Sequence, residues 1–321
     1  MASAVPFDPP QRLVRALAAQ PDAEAVAVAQ AWLERTPELL GRWLERWELS
    51  LERVISPGGR SSVVALVRQA DGSPATLKLV APDGAPAPVR AAREHEALTA
   101  WHGLGAVRVL RAAPEEGALL LERLRREVSL RSLPEAKATL EAVSVVRRLW
   151  VPVERGHGFE TVAEHTEAEA ALMRSAVPLD AEPLVAAALE ARETLLAEPA
   201  PAVGQVLLHG DFRQGAVLAS SSAPGSGERA PWLTVGPDPL VGEPAYDLAR
   251  LARDRLHDLM ASTGAAAAAR RRVNKLADSL DVPRERVRLW ALYRAVESAV
   301  RQAAGGGRAD AEMLLEFAAW L

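Results

Sequence analysis

The sequence predicts an α+β protein of two lobes, a small antiparallel-sheet N-lobe followed by a mainly helical C-lobe. Three observations carry that reading. The 321 residues exceed one typical domain and fit two lobes sharing a cleft. Two apolar, β-branched runs at 63–68 and 75–80 flank an Asp71-Gly72 hairpin turn. From Leu133 onward the apolar spacing is helical almost throughout, broken by one segment near 206–237. The boundary is placed at 123/124.

Taken in order, residues 11–47 carry Trp32, Leu39, Leu40, Trp43 and Trp47 at helical steps, which predicts an amphipathic preface packed on the first lobe. Ser56-Pro57-Gly58-Gly59-Arg60-Ser61-Ser62 is a turn. Lys78 stands between Leu77 and Leu79 on the returning strand, so its side chain is expected on the opposite face. In a helix over 89–101, Glu94, Leu98 and Trp101 share one face. A carboxylate on an apolar face needs a partner, and Lys78 is the natural one. Glu96 points elsewhere and is expected in solvent, and Lys78→Ala is expected to cost little stability. Strands at 107–110 and 117–124 complete the sheet. Helices are predicted at 134–149, 163–174, 179–196, 245–262, 265–279, 284–303 and 309–320, with a low-complexity loop at 220–227.

Composition narrows the function. With 49% hydrophobic and 25% charged residues, and no apolar run near the ~20 residues of a membrane span, a globular, non-membrane protein is expected. The first ten residues show no secretory pattern, so a cytoplasmic location is expected. Absence of cysteine excludes disulfides and thiolate zinc sites, and a net charge of -4 gives no reason to expect nucleic acid. Lysine occurs only at 78, 137 and 275 in an arginine-rich chain, which singles out Lys78. Oligomeric state is not legible.

The chemistry concentrates in Val206-Leu207-Leu208-His209-Gly210-Asp211-Phe212-Arg213-Gln214-Gly215-Ala216-Val217-Leu218, with Trp232-Leu233-Thr234-Val235-Gly236-Pro237 returning after the loop. An apolar strand delivers a His-Gly-Asp turn and two further strands follow. Asp211 is either a reactive carboxylate or a cap on its own turn. With Tyr246-Asp247-Leu248-Ala249, this pattern resembles the aminoglycoside phosphotransferase family, in particular its streptomycin 6-kinase and hydroxyurea phosphotransferase branch, within the protein-kinase-like fold.

The resemblance implies ATP as cofactor and a small-molecule acceptor such as an amino-cyclitol. It implies that Gly58, Gly59 and Ser61 cover the nucleotide phosphates, that Lys78, paired with Glu94, meets them, and that the backbone near Glu122 to Leu124 meets adenine. Asp211 would accept or orient the substrate hydroxyl proton, Arg213 would face the transferred phosphate, and Asp247 would brace the loop. The family pattern holds metal ligands, Asn and Asp, where this chain has Ala216 and Gly236. Neither offers a side-chain oxygen, so Mg2+ is in doubt, with Asp238 the candidate substitute.

Two functional readings follow. One is an ATP-dependent phosphotransferase to a small-molecule hydroxyl. The other is a pseudokinase that binds a nucleotide or small molecule without transfer, which Ala216 and Gly236 favour. Glu164, Glu167 and Glu169 are expected to form a solvated face rather than an acceptor pocket.

Overall fold

The computed structural model describes residues 7–20, 22–154, 156–175, 181–197, 204–221 and 230–321. Most of the predicted 220–227 loop and the start of the predicted 179–196 helix lie outside the described residues. The chain forms two compact units, one of residues 1–125 with 220–231, the other of residues 126–219 with 232–321.

The first unit opens with helices α1 (Gln11–Ala18) and α2 (Ala23–Arg46). The carboxylate of Asp22 caps α2, accepting from the amides of Glu24 and Ala25 and satisfying donors that a helix start leaves open. Strands β1 (Ser50–Val54), β2 (Ser62–Arg68) and β3 (Pro74–Val80), helix α3 (Ala87–Ala100), and strands β4 (Val109–Ala113) and β5 (Ala118–Glu122) follow. The five strands pair in the order β1-β2-β3-β5-β4, all antiparallel. Leu13, Leu17, Leu40, Trp43 and Trp47 pack with Ala65, Val67, Leu77 and Leu79 from one sheet face. The preface is therefore the cover of that face, as its periodicity predicts.

In the second unit β6 (Arg125–Ser129) precedes α4 (Glu135–Leu149), β7 (Glu160–Thr161), α5 (Val162–Ser175), α6 (Glu182–Ala197) and β8 (Val206–Leu208). Strands β9 (Val217–Ala219), β10 (Trp232–Thr234) and β11 (Leu240–Gly242) lead to α7 (Ala245–Ala252), α8 (Leu256–Met260), α9 (Ala265–Ser279), α10 (Arg284–Ala304) and α11 (Arg308–Ala319). Two three-stranded sheets, β10-β9-β6 and β7-β11-β8, frame the loop after β8. The core beneath it is aromatic: Trp290 meets Tyr246 and Tyr293 edge-on, with centroids 5.1 and 5.7 Å apart. Buried Glu243 is held by the Arg286 guanidinium, at 2.5 and 2.7 Å, and by the Trp290 indole N–H at 2.6 Å.

Two expectations are corrected. The helix predicted over 245–262 divides into α7 and α8, because Arg255 adopts a left-handed backbone, φ 53°, and its side chain leaves to bond the carbonyls of Leu130 and Leu133. Four short strands, β1, β6, β7 and β11, were not predicted. Each has only two to five residues, too few to establish an alternation that a sequence reader can count. Among the described residues no helix is long and apolar enough to cross a membrane.

Candidate active site

The first unit carries the Lys78–Glu94 pair. On β3, Lys78 lies between Val64 of β2 and Leu119 of β5, with Leu77 and Leu79 turned to the core. Its Nζ donates to both carboxylate oxygens of Glu94 on α3, at 2.6 and 2.5 Å. Both residues are buried, as are Leu98 and Trp101 on the same helical face, and Glu96 is exposed, as predicted. Two buried charges that satisfy one another are stable together and costly apart. This burial argues against the expectation that Lys78→Ala is benign, since the substitution would leave the Glu94 carboxylate buried without its cation.

Around this pair the predicted nucleotide residues are less open. Gly58 is half-buried, and a Cβ there would stand 2.7 Å from Pro10, so packing accounts for that glycine. Gly59 is exposed with nothing within 4 Å of such a Cβ. Ser61 is half-buried, its carbonyl accepting from Ala81. Glu122 donates its amide to Arg108, whose own amide donates to the Glu122 carboxylate, and Leu124 is buried.

In the second unit, β8 ends at Leu208 and the chain turns through His209, Gly210 and Asp211. Asp247 at the start of α7 fixes this turn: it is fully buried and accepts from the amides of His209 and Gly210, each at 2.9 Å, and from the Trp150 indole at 3.3 Å. Burial pushes its pKa up against those hydrogen bonds. Arg294 donates to the Gly210 carbonyl at 2.8 Å. The Asp238 amide donates to His209 O, and a Cβ on Gly210 would lie 1.8 Å from the Asp238 carbonyl, so only glycine fits there. His209 is fully buried, with Nε2 2.8 Å from the Thr234 hydroxyl and its ring edge-on to Phe212. Burial lowers its pKa to about 4, so the ring is neutral near pH 7.

Asp211 does not cap its own turn. Its Oδ2 accepts from Arg213 Nε and its Oδ1 from Arg250 Nε, both at 2.9 Å. Burial would raise its pKa, but Arg250 and Arg213 outweigh it and hold the carboxyl far below the usual carboxylate range. Such a group stays ionised and orients a donor, yet takes up a proton poorly. Asp254 accepts from the Gln214 amide at 2.5 Å, and Gln214 Oε1 accepts from Arg255 at 2.7 Å. Arg250, Asp254, Gln214 and Arg294 were not singled out from the sequence. A signal for two of them was present, since in the helix expected over 245–262 Asp247, Arg250 and Asp254 are spaced i, i+3, i+7 and would share one face.

Ala216 and Gly236 come together beside this turn. The Ala216 carbonyl accepts from the Val235 amide at 2.9 Å, so the two segments are adjacent. Ala216 presents only a buried methyl, and Gly236 adopts φ 63°, with open space where a side chain would be. Asp238 is exposed, and among the described residues no three His, Asp or Glu side chains gather as metal ligands. With both Asp211 oxygens already bonded to guanidinium groups, the residues present do not fit a divalent cation.

The expected glutamate face is divided. Glu164 caps α5, accepting from the Thr161 amide and hydroxyl, while exposed Glu167 pairs with Arg192. Glu169 is turned inward against His165 and Arg301, at 3.3 and 3.1 Å, which overturns the solvated reading for that residue.

Comparisons with known proteins agree with this architecture. The chain is 30% identical to streptomycin 6-kinase of Streptomyces glaucescens over 84% of each chain. It is 34% identical to hydroxyurea phosphotransferase of Kitasatospora aureofaciens, covering 87% of this chain and 77% of that one. The choline kinase LicA from Streptococcus pneumoniae shares the fold at 12% identity, with a TM-score of 0.60 over 88% of this chain and 98% of that chain. This is the two-lobed α+β fold of protein-kinase-like small-molecule kinases. With residues 46–306 matching the family pattern from β1 to the end of α10, the chain belongs to the aminoglycoside/hydroxyurea antibiotic resistance kinase family.

Proposed function

We propose that this protein binds ATP and a small-molecule acceptor as its family does, but that its Mg2+-dependent phosphoryl transfer is crippled. The observation that carries the reading is the pairing of Ala216 with Gly236 beside an Asp211 whose oxygens are both engaged by arginines. Phosphoryl transfer depends on neutralising phosphate charge and orienting the attacking hydroxyl. Metal stabilisation worth several kcal/mol corresponds to at least ~10^3-fold in rate, so a chain without the ligands transfers slowly or not at all. The intact Lys78–Glu94 pair supports nucleotide binding. Glu169 supports an acceptor with amino groups, such as an amino-cyclitol, because its Oε2 is buried with no hydrogen-bond partner among the described residues.

ATP titrated calorimetrically in EDTA and in excess Mg2+ should bind with similar affinity, and streptomycin should not be phosphorylated in either. A second reading, an active ATP-dependent phosphotransferase, is favoured by the fully braced turn that presents Asp211. A large Mg2+ enhancement of ATP binding that Asp238→Ala abolishes, accompanied by transfer to streptomycin, would establish that reading and overturn ours.

A further inference from the structure

Where the chain lacks ligands for a cation, it carries cations of its own. Among the described residues, Asp211 hydrogen-bonds only the Nε of Arg213 and of Arg250. The Nη groups of Arg213 have no hydrogen-bond partner among the described residues, and its side chain is 41% exposed. Arg250 Nη1 has Asp254 at 3.8 Å, beyond hydrogen-bond distance. A Cβ on Gly215 would lie 3.1 Å from Arg213 Nη1 and 3.4 Å from Arg131 Cδ, so these two side chains converge over a bare stretch of backbone. Arg131 is exposed, and it acts electrostatically on Asp254. Arg255 and Arg294 are anchored to protein acceptors at Gln214, Leu133, Tyr246 and Gly210, and belong to the scaffold.

We propose that Arg131, Arg213 and Arg250 form a metal-independent binding site for a phosphate oxyanion. Three guanidinium groups against the carboxylates of Asp211 and Asp254 leave a net positive charge, and the planar N–H fork of arginine matches a phosphate's oxygens. The charge neutralisation that the family resemblance assigns to a metal ion would here be built into the chain. Asp211 competes with the ligand for the same two arginines, which gives the site an internal counter-ion. The phosphate is either the terminal group of a nucleotide or that of a phosphorylated small molecule. The inference rests on the metal-free part of the proposed function and not on ATP binding.

The test titrates the full chain, in EDTA at low ionic strength, with sodium tripolyphosphate, ATP, adenosine and glucose 6-phosphate. Tripolyphosphate should bind without metal. Arg213→Ala should weaken it about tenfold, the effect of losing one charge-assisted hydrogen bond. Asp211→Asn should tighten it several-fold by releasing both arginines. Opposite signs from two neighbouring substitutions are not produced by partial unfolding. Arg250→Ala can disturb the Asp254 support, so the decision rests on the other two variants.

Tighter binding of ATP than of adenosine, with the difference lost in Arg213→Ala, assigns the site to nucleotide phosphates. Binding of tripolyphosphate and glucose 6-phosphate with neither ATP nor adenosine bound would retain the oxyanion site and overturn the nucleotide part of the proposed function. Tripolyphosphate that fails to bind, binds only with Mg2+, or responds alike to Arg213→Ala and Asp211→Asn would overturn the oxyanion site, whatever ATP does.

Discussion

Lys78–Glu94 and the Asp211 turn are both places where this protein holds opposite charges together, but they differ in what holds them there. The first is a closed pair: two buried side chains on β3 and α3, each the other's counter-ion. The second is an open cluster in which two arginines share one carboxylate through Nε, and their Nη nitrogens make no hydrogen bond among the described residues. A buried pair is retained because breaking it destabilises the fold. Positions 216 and 236 carry no such penalty, since a methyl and a bare backbone there leave no charge unpaired. Lys78 and Glu94 would thus persist in a chain that had lost transfer chemistry, and their presence argues for the scaffold more strongly than for turnover.

That contrast is broken or sharpened by four measurements, in falling order of effect. Lys78→Ala should cost about 3–5 kcal/mol in urea unfolding, while Lys78→Met combined with Glu94→Leu should recover most of it. If the single variant is as stable as the parent, the pair is not structurally required, and its retention would then favour an active enzyme.

The next effect belongs to the Asp211 turn and is read through pH. His209 has its pKa depressed from 6.5 to about 4 by burial, so below pH 6.5 the unfolded chain takes up a proton that the folded chain refuses. Stability is fully present above pH 6.5 and falls as the pH drops toward 4, by on the order of 3 kcal/mol. His165 does the opposite. Burial lowers its pKa, but Glu160 and Glu169 overcome that and raise it to about 10, so its contribution is present below pH 6.5 and lost as pH rises toward 10. Unfolding curves across pH should peak near 6.5, and His209→Gln should flatten the acid side alone.

A smaller cost is expected at Gly236. Its φ of 63° is one that side chains resist, and aspartate tolerates it better than most residues, so Gly236→Asp should lose about 1 kcal/mol. No atom obstructs the new Cβ. Ala216→Asn with Gly236→Asp should therefore fold and gain Mg2+-dependent ATP binding that neither single change gives. A folded double variant without metal dependence would mean that these positions do not face the phosphates. Smallest of all, Asp238→Ala should shift stability by under about 0.5 kcal/mol, because the side chain is exposed and, among the described residues, only its backbone is hydrogen-bonded.

The sequence by itself determined the elements long enough to show a period and the pair that burial demands. Periodicity placed α9 at 265–279, where it is observed, and Glu94 on the inward face of α3, because a helix fixes which residues share a side. It also marked the turn at 209–211, and the family resemblance pointed to Ala216 and Gly236 as positions where ligands are expected and no side-chain oxygen stands. Tertiary structure alone decided the partners of Asp211. Arg250 lies 39 residues away, and Arg213, for which the resemblance implies a phosphate, also bonds its neighbour two residues back. Nor could sequence separate Glu164, Glu167 and Glu169, which share a residue type and a helix yet become a cap, a surface pair and a buried carboxylate. Local spacing says which residues travel together along a helix. What they meet is set by elements distant in the chain, and the charge state of this turn is set by those meetings.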